Sequence, residues 1–505
     1  MNRRVTGSNS LANRARELAL QLTSWPSVTG TADEAAFAPK LAASLAHFDT
    51  VKLSPVSGND HPRANVFALK RGRGRRTIVL TGHFDVVPVD DYGPLKHLAF
   101  TPEKLMPEIV TRLRLTGENP AALTDFESGD FLPGRGLLDM KAGLAAGIAV
   151  IEAYGGDANL LFVAVCDEED RSAGARAAAP ELKSFAAEHD LDIALVINLD
   201  AISDQGDGSR GRVVALGSIG KQLLTAFVAG KEAHASYPQD GANAAYLAAE
   251  LVTELELSAE LAELTGEEYA APPTALHAKD LKQGYNVTTP AACWLYWNTL
   301  QHRRGAEDVF AIALKLARRA MARAAEKVKR QVPVITYAEL AACVDPALLK
   351  AKAEELAKLT ALDFPERAKI LTQFAFAHSG LAGPFVVMGF GSIPYPAVTL
   401  ASPELEREIM TTVQPFGLSS VRYFAGISDM SFLGEASGDL SVVAENTPVW
   451  GSSFTMPEAA GYPAINIGPW GRDYHHWLER LHAPYAFEIL PRVLLEVIEA
   501  VAASR

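Results

Sequence analysis

The first two hundred residues alternate between short apolar runs and longer stretches of helical periodicity. The runs "TIVLTGHFDVV", "NLLFVAVCDEE" and "DIALVINLD" predict buried strands, and "KAGLAAGIAVIEAYG" and "GARAAAPELKSFAAEH" between them predict helices. Strands that alternate with helices form a mostly parallel sheet with helices on both faces. We therefore predict an α/β fold whose first part spans residues 1–214.

The pattern changes after this region. The runs "LLTAFVAG", "ACWLYWNTL" and "VPVITYAEL" predict strands, and "NAAYLAAELVTELEL" and "AEDVFAIALKLARRAMARAAEKVKR" predict long helices. We interpret residues 215–338 as an inserted α+β domain, because the apolar runs "PFVVMGF" and "PAINIGP" and a closing helix follow it. Residues 339–505 are then the second part of the α/β domain. A chain of 505 residues also exceeds the size of a single core.

Two segments do not fit this alternation. Residues 90–132 form a long polar stretch, and connections of that length are usually functional or mobile. The basic run "KRGRGRR" at 70–76 alternates glycine with charge between two strand patterns, which indicates a solvated hairpin turn. The alternative reading of this run is a patch that binds phosphate or nucleic acid.

Composition narrows the classes of partner. A formal net charge of −13 argues against nucleic acid as the main partner. The N-terminus lacks the apolar region of a signal peptide, and the longest apolar stretch, 142–154, is too short to span a bilayer. The three cysteines are widely spaced, as in proteins of a reducing compartment. We expect a cytoplasmic protein with no membrane partner.

Side chains with affinity for metals follow the predicted strands. They are His83, Asp85, Asp139, Glu168, Glu169 and Asp200. The carboxyl ends of parallel strands converge on one edge of a sheet, so these groups are expected to meet there. Carboxylates brought so close repel each other, and divalent cations remove that conflict. Imidazole and carboxylate donors suit zinc, with cobalt or manganese as alternatives.

Three motifs make the chain resemble a known family. In their order along the chain, "TGHFDVVPV", "GRGLLDMKAG" and "CDEED" are similar to the dinuclear zinc hydrolases that include aminoacylases, succinyl-diaminopimelate desuccinylases, dipeptidases and glutamate carboxypeptidases. The segment "GKEAHASYPQDGANAA" resembles the His-bearing part of that family's lid, or dimerisation, domain, which is ferredoxin-like. The stretches "ESGDFLPGRGLLDMKAG" and "NIGPWGRDYHHWLERLHAPYAFEILP" resemble the RocB-type branch, which is linked to arginine utilisation.

The resemblance implies a ligand set for two divalent metal ions. His83 and Asp200 would bind one ion, Glu169 would bind the other, and Asp139 would bridge both. The last ligand would come from "DYHHWLE". In the family this His lies four positions before a Glu, and that spacing selects His475 over His476.

The resemblance also implies roles in catalysis. Glu168 would be the general base, and Asp85 would hydrogen-bond the His83 imidazole and fix its tautomer. His234 would stabilise the oxyanion, often from the partner subunit of a homodimer formed through the lid. The candidates for substrate binding are Asn243, Arg422 and Asp429.

We expect a metal-dependent hydrolase that cleaves an amide bond in a small molecule. The substrate would be a dipeptide or an N-acyl amino acid, with arginine derivatives among the candidates. The alternative is a catalytically inactive protein on the same fold that binds small molecules or peptides or acts in regulation. The presence of all five ligands and the base favours the hydrolase.

Overall fold

A computed structural model describes residues 2–58, 61–265, 268–359, 362–424, 426–436, 438–449 and 458–503. The chain divides into two compact units. The first comprises Met1–Ser218, Val398–Ala436 and Glu458–Arg505, and the second comprises Ile219–Ala397 and Ser437–Pro457.

The strands and helices follow one another along both units. The strands are β1 (Thr50–Val56), β2 (Arg63–Lys70), β3 (Arg76–His83), β4 (Phe131–Pro133), β5 (Asn159–Val165), β6 (Asp192–Asn198), β7 (Ile202–Ser203), β8 (Val213–Ala215), β9 (Gly217–Ser218), β10 (Gly220–Ala229), β11 (Glu263–Thr265), β12 (Glu268–Ala270), β13 (Thr274–Asp280), β14 (Ala292–Gln301), β15 (Val334–Thr336), β16 (Phe385–Phe390), β17 (Val398–Thr399), β18 (Ser419–Val421), β19 (Ala464–Asn466), β20 (Trp470–Arg472) and β21 (Arg480–His482). The helices are α1 (Asn2–Thr23), α2 (Ala32–Ser44), α3 (Pro102–Thr116), α4 (Pro120–Ser128), α5 (Ala142–Ala153), α6 (Ala173–Glu188), α7 (Ala244–Leu255), α8 (Ala306–Val328), α9 (Tyr337–Ala341), α10 (Pro346–Ala357), α11 (Phe364–His378), α12 (Pro403–Val413), α13 (Met430–Leu433), α14 (Ser441–Asn446) and α15 (Leu490–Ala503).

The first unit is built on an eight-stranded sheet with the order β1-β2-β5-β3-β6-β19-β8-β18. Its four central strands, β5, β3, β6 and β19, are parallel to their neighbours within that group. Antiparallel pairs occur on either side, between β1, β2 and β5 and between β19 and β8. The predicted α/β class is confirmed, and the sheet is parallel in its centre and again in the edge pair β8–β18.

Helices cover both faces of this sheet. Successive side chains of a strand point to opposite faces, and the apolar side chains on each face are buried by helices. Phe162 of β5 joins the core that includes apolar residues of α1, α5 and α15. On β2, Phe67 contacts Phe185 of α6 with 5.5 Å between ring centroids. Strands buried on both faces explain the continuous apolar runs in the sequence. None of the described helices has the length and apolar character that a membrane crossing requires.

The basic run at 70–76 connects β2 to β3, but it is not a hairpin turn. β5 lies between these two strands and pairs with both, so the connection passes over the end of β5. The Cβ of any residue replacing Gly72 would lie 2.2 Å from the Asp157 carbonyl oxygen, which explains a glycine at this crossing. Arg73 forms an ion pair with Asp157, and Arg75 forms one with Asp190. The prediction failed because local patterns do not show which strands pair.

The second unit is an α+β layer with the sheet order β13-β14-β10-β16-β15. The apolar faces of α7 and α8 pack on this sheet in one core. The unit extends to Ala397, well beyond the predicted end of the insertion at residue 338. The reason is β16, the run "PFVVMGF", which pairs with β10 from Leu224↔Phe390 to Ala229↔Phe385 instead of returning to the first sheet. An apolar run predicts a buried strand without showing which sheet it joins.

The segment 90–132, expected to be a loop, is mostly helical. A short 3-10 segment (Asp90–Leu98) leads into α3, α4 and β4. Asn119 caps α4 by accepting a hydrogen bond from the Ala122 amide at 3.0 Å, Pro120 occupies its first turn, and Gly129 ends it at φ +82°. These are standard start and stop signals for a helix, and the polar composition of the segment obscures them.

Candidate metal centre

His83 is the last residue of the central strand β3 and is buried. At the preceding residue, Gly82, a Cβ would lie 2.0 Å from the Met140 Cε, which occupies this space. The loop that carries Asp139 can therefore pack directly on the end of this strand. The His83 Nδ1 lies 3.0 Å from the backbone carbonyl oxygen of Asp85, which can only accept a hydrogen bond. This contact fixes the tautomer and leaves Nε2 available as a ligand atom.

Asp139 lies between two sets of donor atoms. Its Oδ1 is 3.2 Å from the His83 Nε2, and its Oδ2 is 3.2 Å from the His475 Nε2. One set consists of His83, Asp139 and Asp200, and the other of Asp139, Glu169 and His475; within each set the ligand atoms lie within 4.8 Å of one another. Both sets contain imidazole and carboxylate donors, so each could hold a divalent cation, and they share one carboxylate.

Asp200 follows strand β6, the neighbour of β3 in the sheet. Its Oδ1 lies 3.8 Å from the His83 Nε2. Asn466 on the adjacent strand β19 holds the Asp200 backbone from both sides: the Asp200 amide donates to the Asn466 Oδ1 at 3.0 Å, and the Asn466 Nδ2 donates to the Asp200 carbonyl at 2.9 Å. An isolated asparagine in a buried strand is the only signal in the sequence for this support.

Asp85 differs from its predicted role. Its nearest carboxylate oxygen is 3.7 Å from the His83 Nδ1, so the carboxylate makes no hydrogen bond to the imidazole. It accepts hydrogen bonds instead from the Glu168 amide at 3.0 Å, the Glu169 amide at 3.2 Å and the Thr29 hydroxyl at 2.8 Å. The carboxylate therefore anchors the Glu168–Glu169 segment, while the Asp85 backbone orients His83. Spacing along one strand could not distinguish these two contacts.

A second group of charged residues, which no sequence pattern predicted, holds the Glu168–Glu169 segment in place. Asp167 pairs with the buried Arg63, whose guanidinium also lies 3.5 Å from Glu34. The Asp167 amide donates to the Glu34 Oε1 at 2.9 Å. Because these residues come from three distant parts of the chain, no local pattern could indicate the contact.

His475, rather than His476, lies in the donor cluster. The His475 Nε2 is 3.1 Å from the Glu169 Oε2. The neighbouring His476 instead accepts a hydrogen bond at Nδ1 from the Leu478 amide at 3.2 Å. The loop between β20 and β21 therefore directs one of two adjacent histidines to the carboxylates.

The electrostatics of the cluster follow from burial and from the mutual contacts of its members. Burial raises the pKa of Glu168 well above its ordinary value, with the His83 charge opposing this shift. Burial lowers the pKa of His475, but its hydrogen bonds with Asp139 and Glu169 outweigh this and raise it to about 10. The pKa of Asp139 falls despite burial, because both histidines donate to it. The metal-free cluster thus holds protons where cations would otherwise balance the carboxylates.

The other predicted residues have different surroundings. His234 and Asn243 belong to the second unit. His234 is exposed. The Asn243 Oδ1 caps α7 by accepting a hydrogen bond from the Ala245 amide at 2.9 Å. Arg422 forms an exposed ion pair with Glu406 at 2.7 Å. Burial raises the pKa of Asp429 to about 8, with the His83 charge opposing this shift. Asp429 is therefore electrostatically part of the cluster, and Arg422 takes part in a surface contact.

Two adjoining donor sets at the carboxyl ends of parallel strands define an α/β protein suited to bind divalent cations. The chain belongs to the peptidase family M20/M25/M40, whose model matches residues 79–448. It is therefore a member of a family of hydrolases, and the predicted family is confirmed.

Individual proteins are similar over nearly the whole chain. Protein YqjN of Bacillus subtilis (strain 168) is 32% identical over 96% of this chain and 95% of its own length. Protein RocB of the same organism is 27% identical over 96% and 94%. Among solved structures, the dinuclear metal binding peptidase YXEP of Bacillus subtilis covers 98% of each chain with a TM-score of 0.50 and 11% identity. The structural likeness concerns the fold.

Proposed function

We propose that this protein hydrolyses an amide bond in a small peptide or an N-acyl amino acid with the help of two divalent metal ions. The observation that carries the proposal is the position of Asp139, whose two oxygens face two separate donor sets. A carboxylate shared in this way could serve two cations at once. The dinuclear peptidase with the same fold supports the same count of ions.

Zinc is the ion that these donors suit best, because each set combines one imidazole nitrogen with carboxylate oxygens. Cobalt and manganese accept the same donors and are expected to substitute for it. Carboxylates with little exposure contribute to both positions, and bound cations would balance their charge.

When bound, two such ions supply Lewis acidity for a carbonyl group and activate water near neutral pH. In this mechanism Glu168 removes a proton from the attacking water and later delivers it to the leaving nitrogen. Its burial and raised pKa suit a group that must hold a proton between these steps. Asp85 keeps the Glu168 backbone in place through the Glu168 amide.

We propose that His234 donates a hydrogen bond to the developing oxyanion, in a homodimer formed through the lid, and that Asn243, Arg422 and Asp429 contact the substrate. Arginine-containing dipeptides and N-acyl arginines are the first candidates, because the chain resembles RocB over 96% of its length. A cytoplasmic location fits small substrates of this class.

The test combines metal analysis with a substrate screen. Purified protein is dialysed against zinc, its metal content is measured, and it is assayed with dipeptides and N-acyl amino acids that include arginine derivatives. We expect about two ions per chain and release of a free amine. Two bound ions without hydrolysis of any member would favour the binding or regulatory alternative, and protein that binds no zinc would contradict the proposal.

A further inference from the structure

The segment Asp90–Pro133 contacts the two strands that flank the loop carrying His475. Its helix α4 packs its buried side against the ends of β20 and β21, the two strands that flank the loop carrying His475. The contact is made by Asp125, a mostly buried residue of this helix.

Asp125 separates two arginines that face each other across the hairpin. Arg472 of β20 and Arg480 of β21 are direct cross-strand partners. Like charges at such a position are destabilising, and here the Arg480 side chain is only 2% exposed. Asp125 accepts hydrogen bonds from the Arg472 Nη1 at 2.7 and 2.6 Å and from the Arg480 Nε at 2.7 Å. One carboxylate thus compensates both cations and holds the two strands together.

Arg480 also contacts two residues of the loop that carries His475. Its Nη1 donates to the carboxylate of Asp473, the first residue after β20, and to the Leu478 carbonyl at 3.2 Å. The other oxygen of Asp473 accepts from the Gln205 side chain at 2.8 Å. Asp473 and His475 both have positive φ, +53° and +63°, a region that residues with a side chain adopt at a cost. A loop in this conformation needs external contacts to keep it.

The far end of the loop is held by Arg135 and Gly136, which closely follow this segment. Arg135, two residues after β4, donates from Nη1 to the Glu479 Oε2 at 2.9 Å and from Nη2 to both Asp91 oxygens at 2.9 and 3.0 Å. The Gly136 amide donates to the Glu479 Oε1 at 3.0 Å. Both ends of the His475 loop are therefore attached to residues 91–136.

We propose that helix α4 is a positioning device for the metal centre, in which Asp125 acts through Arg480 and Asp473 to keep His475 against Asp139 and Glu169. Asp125 touches neither the substrate nor the ions, so it is a positioning residue. The inference rests on His475 being a metal ligand, as proposed above.

The first test replaces Asp125 and titrates the metal-free protein with zinc in a calorimeter. In Asp125→Ala the two arginines face each other without a shared anion, so the His475 loop should separate from the cluster. We expect the ion held through His475 to bind about 10–100-fold more weakly, the range for partners that orient a ligand, while the ion held by His83 and Asp200 is retained. Equal weakening of both ions, or wild-type affinity for both, would overturn the proposal.

Two further variants separate positioning from general destabilisation. In Asp125→Ala/Arg472→Met the repulsion is removed and Arg480 keeps its contact with Asp473, so most of the lost affinity should return. A double variant that binds zinc as weakly as Asp125→Ala would refute the mechanism. Glu127→Ala changes the same helix at an exposed ion pair with Arg114 and should bind both ions as the wild type does.

A readout without metal makes the test independent of the proposed function. Hydrogen exchange of the metal-free protein, followed by mass spectrometry, should be faster over 473–479 in Asp125→Ala and unchanged over β3. In the wild type the His476 and Glu479 amides in this loop donate to backbone carbonyls at 3.2 and 2.8 Å. Unchanged exchange over 473–479 would overturn the inference even if the wild type bound no metal.

Discussion

Replacing Asp85 by asparagine tests which contact its buried carboxylate serves. The carboxylate accepts hydrogen bonds from the amides of Glu168 and Glu169 and from the Thr29 hydroxyl. The His83 imidazole is oriented by the Asp85 backbone carbonyl, which asparagine retains. We therefore expect Asp85→Asn to disturb the Glu168–Glu169 segment and to leave the orientation of His83 intact.

The size of the effect follows from these contacts. The Asp85 Oδ1 faces the Glu168 amide and the Oδ2 faces the Glu169 amide, so the NH₂ group of asparagine must oppose one of these donors. A buried donor left unsatisfied costs about 1–3 kcal/mol, and hydrogen bonds to a charged acceptor contribute about 1 kcal/mol more than neutral ones. The total is roughly 3 kcal/mol, which corresponds to about 100-fold in a dissociation constant.

The assay is a zinc titration of the metal-free variant, analysed for two ions. The ion held through Glu169 should weaken by up to about 100-fold, and the ion held by His83 and Asp200 should change by less than about tenfold. Thr29→Val is the matched control, because it removes one donor to the same carboxylate and leaves both amide contacts in place. Preferential weakening of the His83 ion would show that the carboxylate orients the imidazole after all, and the reasoning from the contacts would be refuted.

Three more predictions follow from the proposed mechanism. Glu168→Gln should keep both ions and lose about 10²–10⁴-fold in kcat, measured with metal analysis of the same sample; a near-normal rate would exclude it as the base. His234→Ala should lower kcat about 10²–10³-fold at unchanged metal content, and loss of an ion would contradict the oxyanion role. Because the pKa of His475 is raised to about 10, zinc binding should release protons, and the apparent affinity should rise as the pH increases towards about 10. Calorimetry in buffers of different ionisation enthalpy counts these protons, and an affinity independent of pH would refute the assignment. Protonated His475 also stabilises the metal-free fold; this contribution is complete below pH 6.5 and is lost as the pH rises through about 10.

Two arginine–aspartate ion pairs near the metal centre hold the segments that carry proposed ligands. Arg63 pairs with Asp167 just before the Glu168–Glu169 segment, and Arg480 pairs with Asp473 just before His475. In each ion pair the carboxylate lies two residues before a proposed ligand, and the arginine is buried. Such pairs add little net stability but fix a single geometry, because removing one partner leaves a buried charge without compensation.

The sequence by itself determined the parts of this protein that depend on local pattern. Continuous apolar runs predicted the central strands β3, β5 and β6, and the polar residues after them predicted a cluster at the carboxyl edge of the sheet. That inference works because parallel strands bring their ends to one edge, whatever the remaining contacts are.

Tertiary structure alone decided what depends on pairing between distant segments. It placed β5 between β2 and β3, and it assigned β16 to the second sheet. The Asp85 carboxylate contacts the Glu168–Glu169 segment, and Asp125 lies between two arginines that are 347 and 355 positions away along the chain. The physical reason is that a hydrophobic pattern records whether a residue is buried, whereas the partner of a buried strand or charge is chosen by the packing of the whole unit.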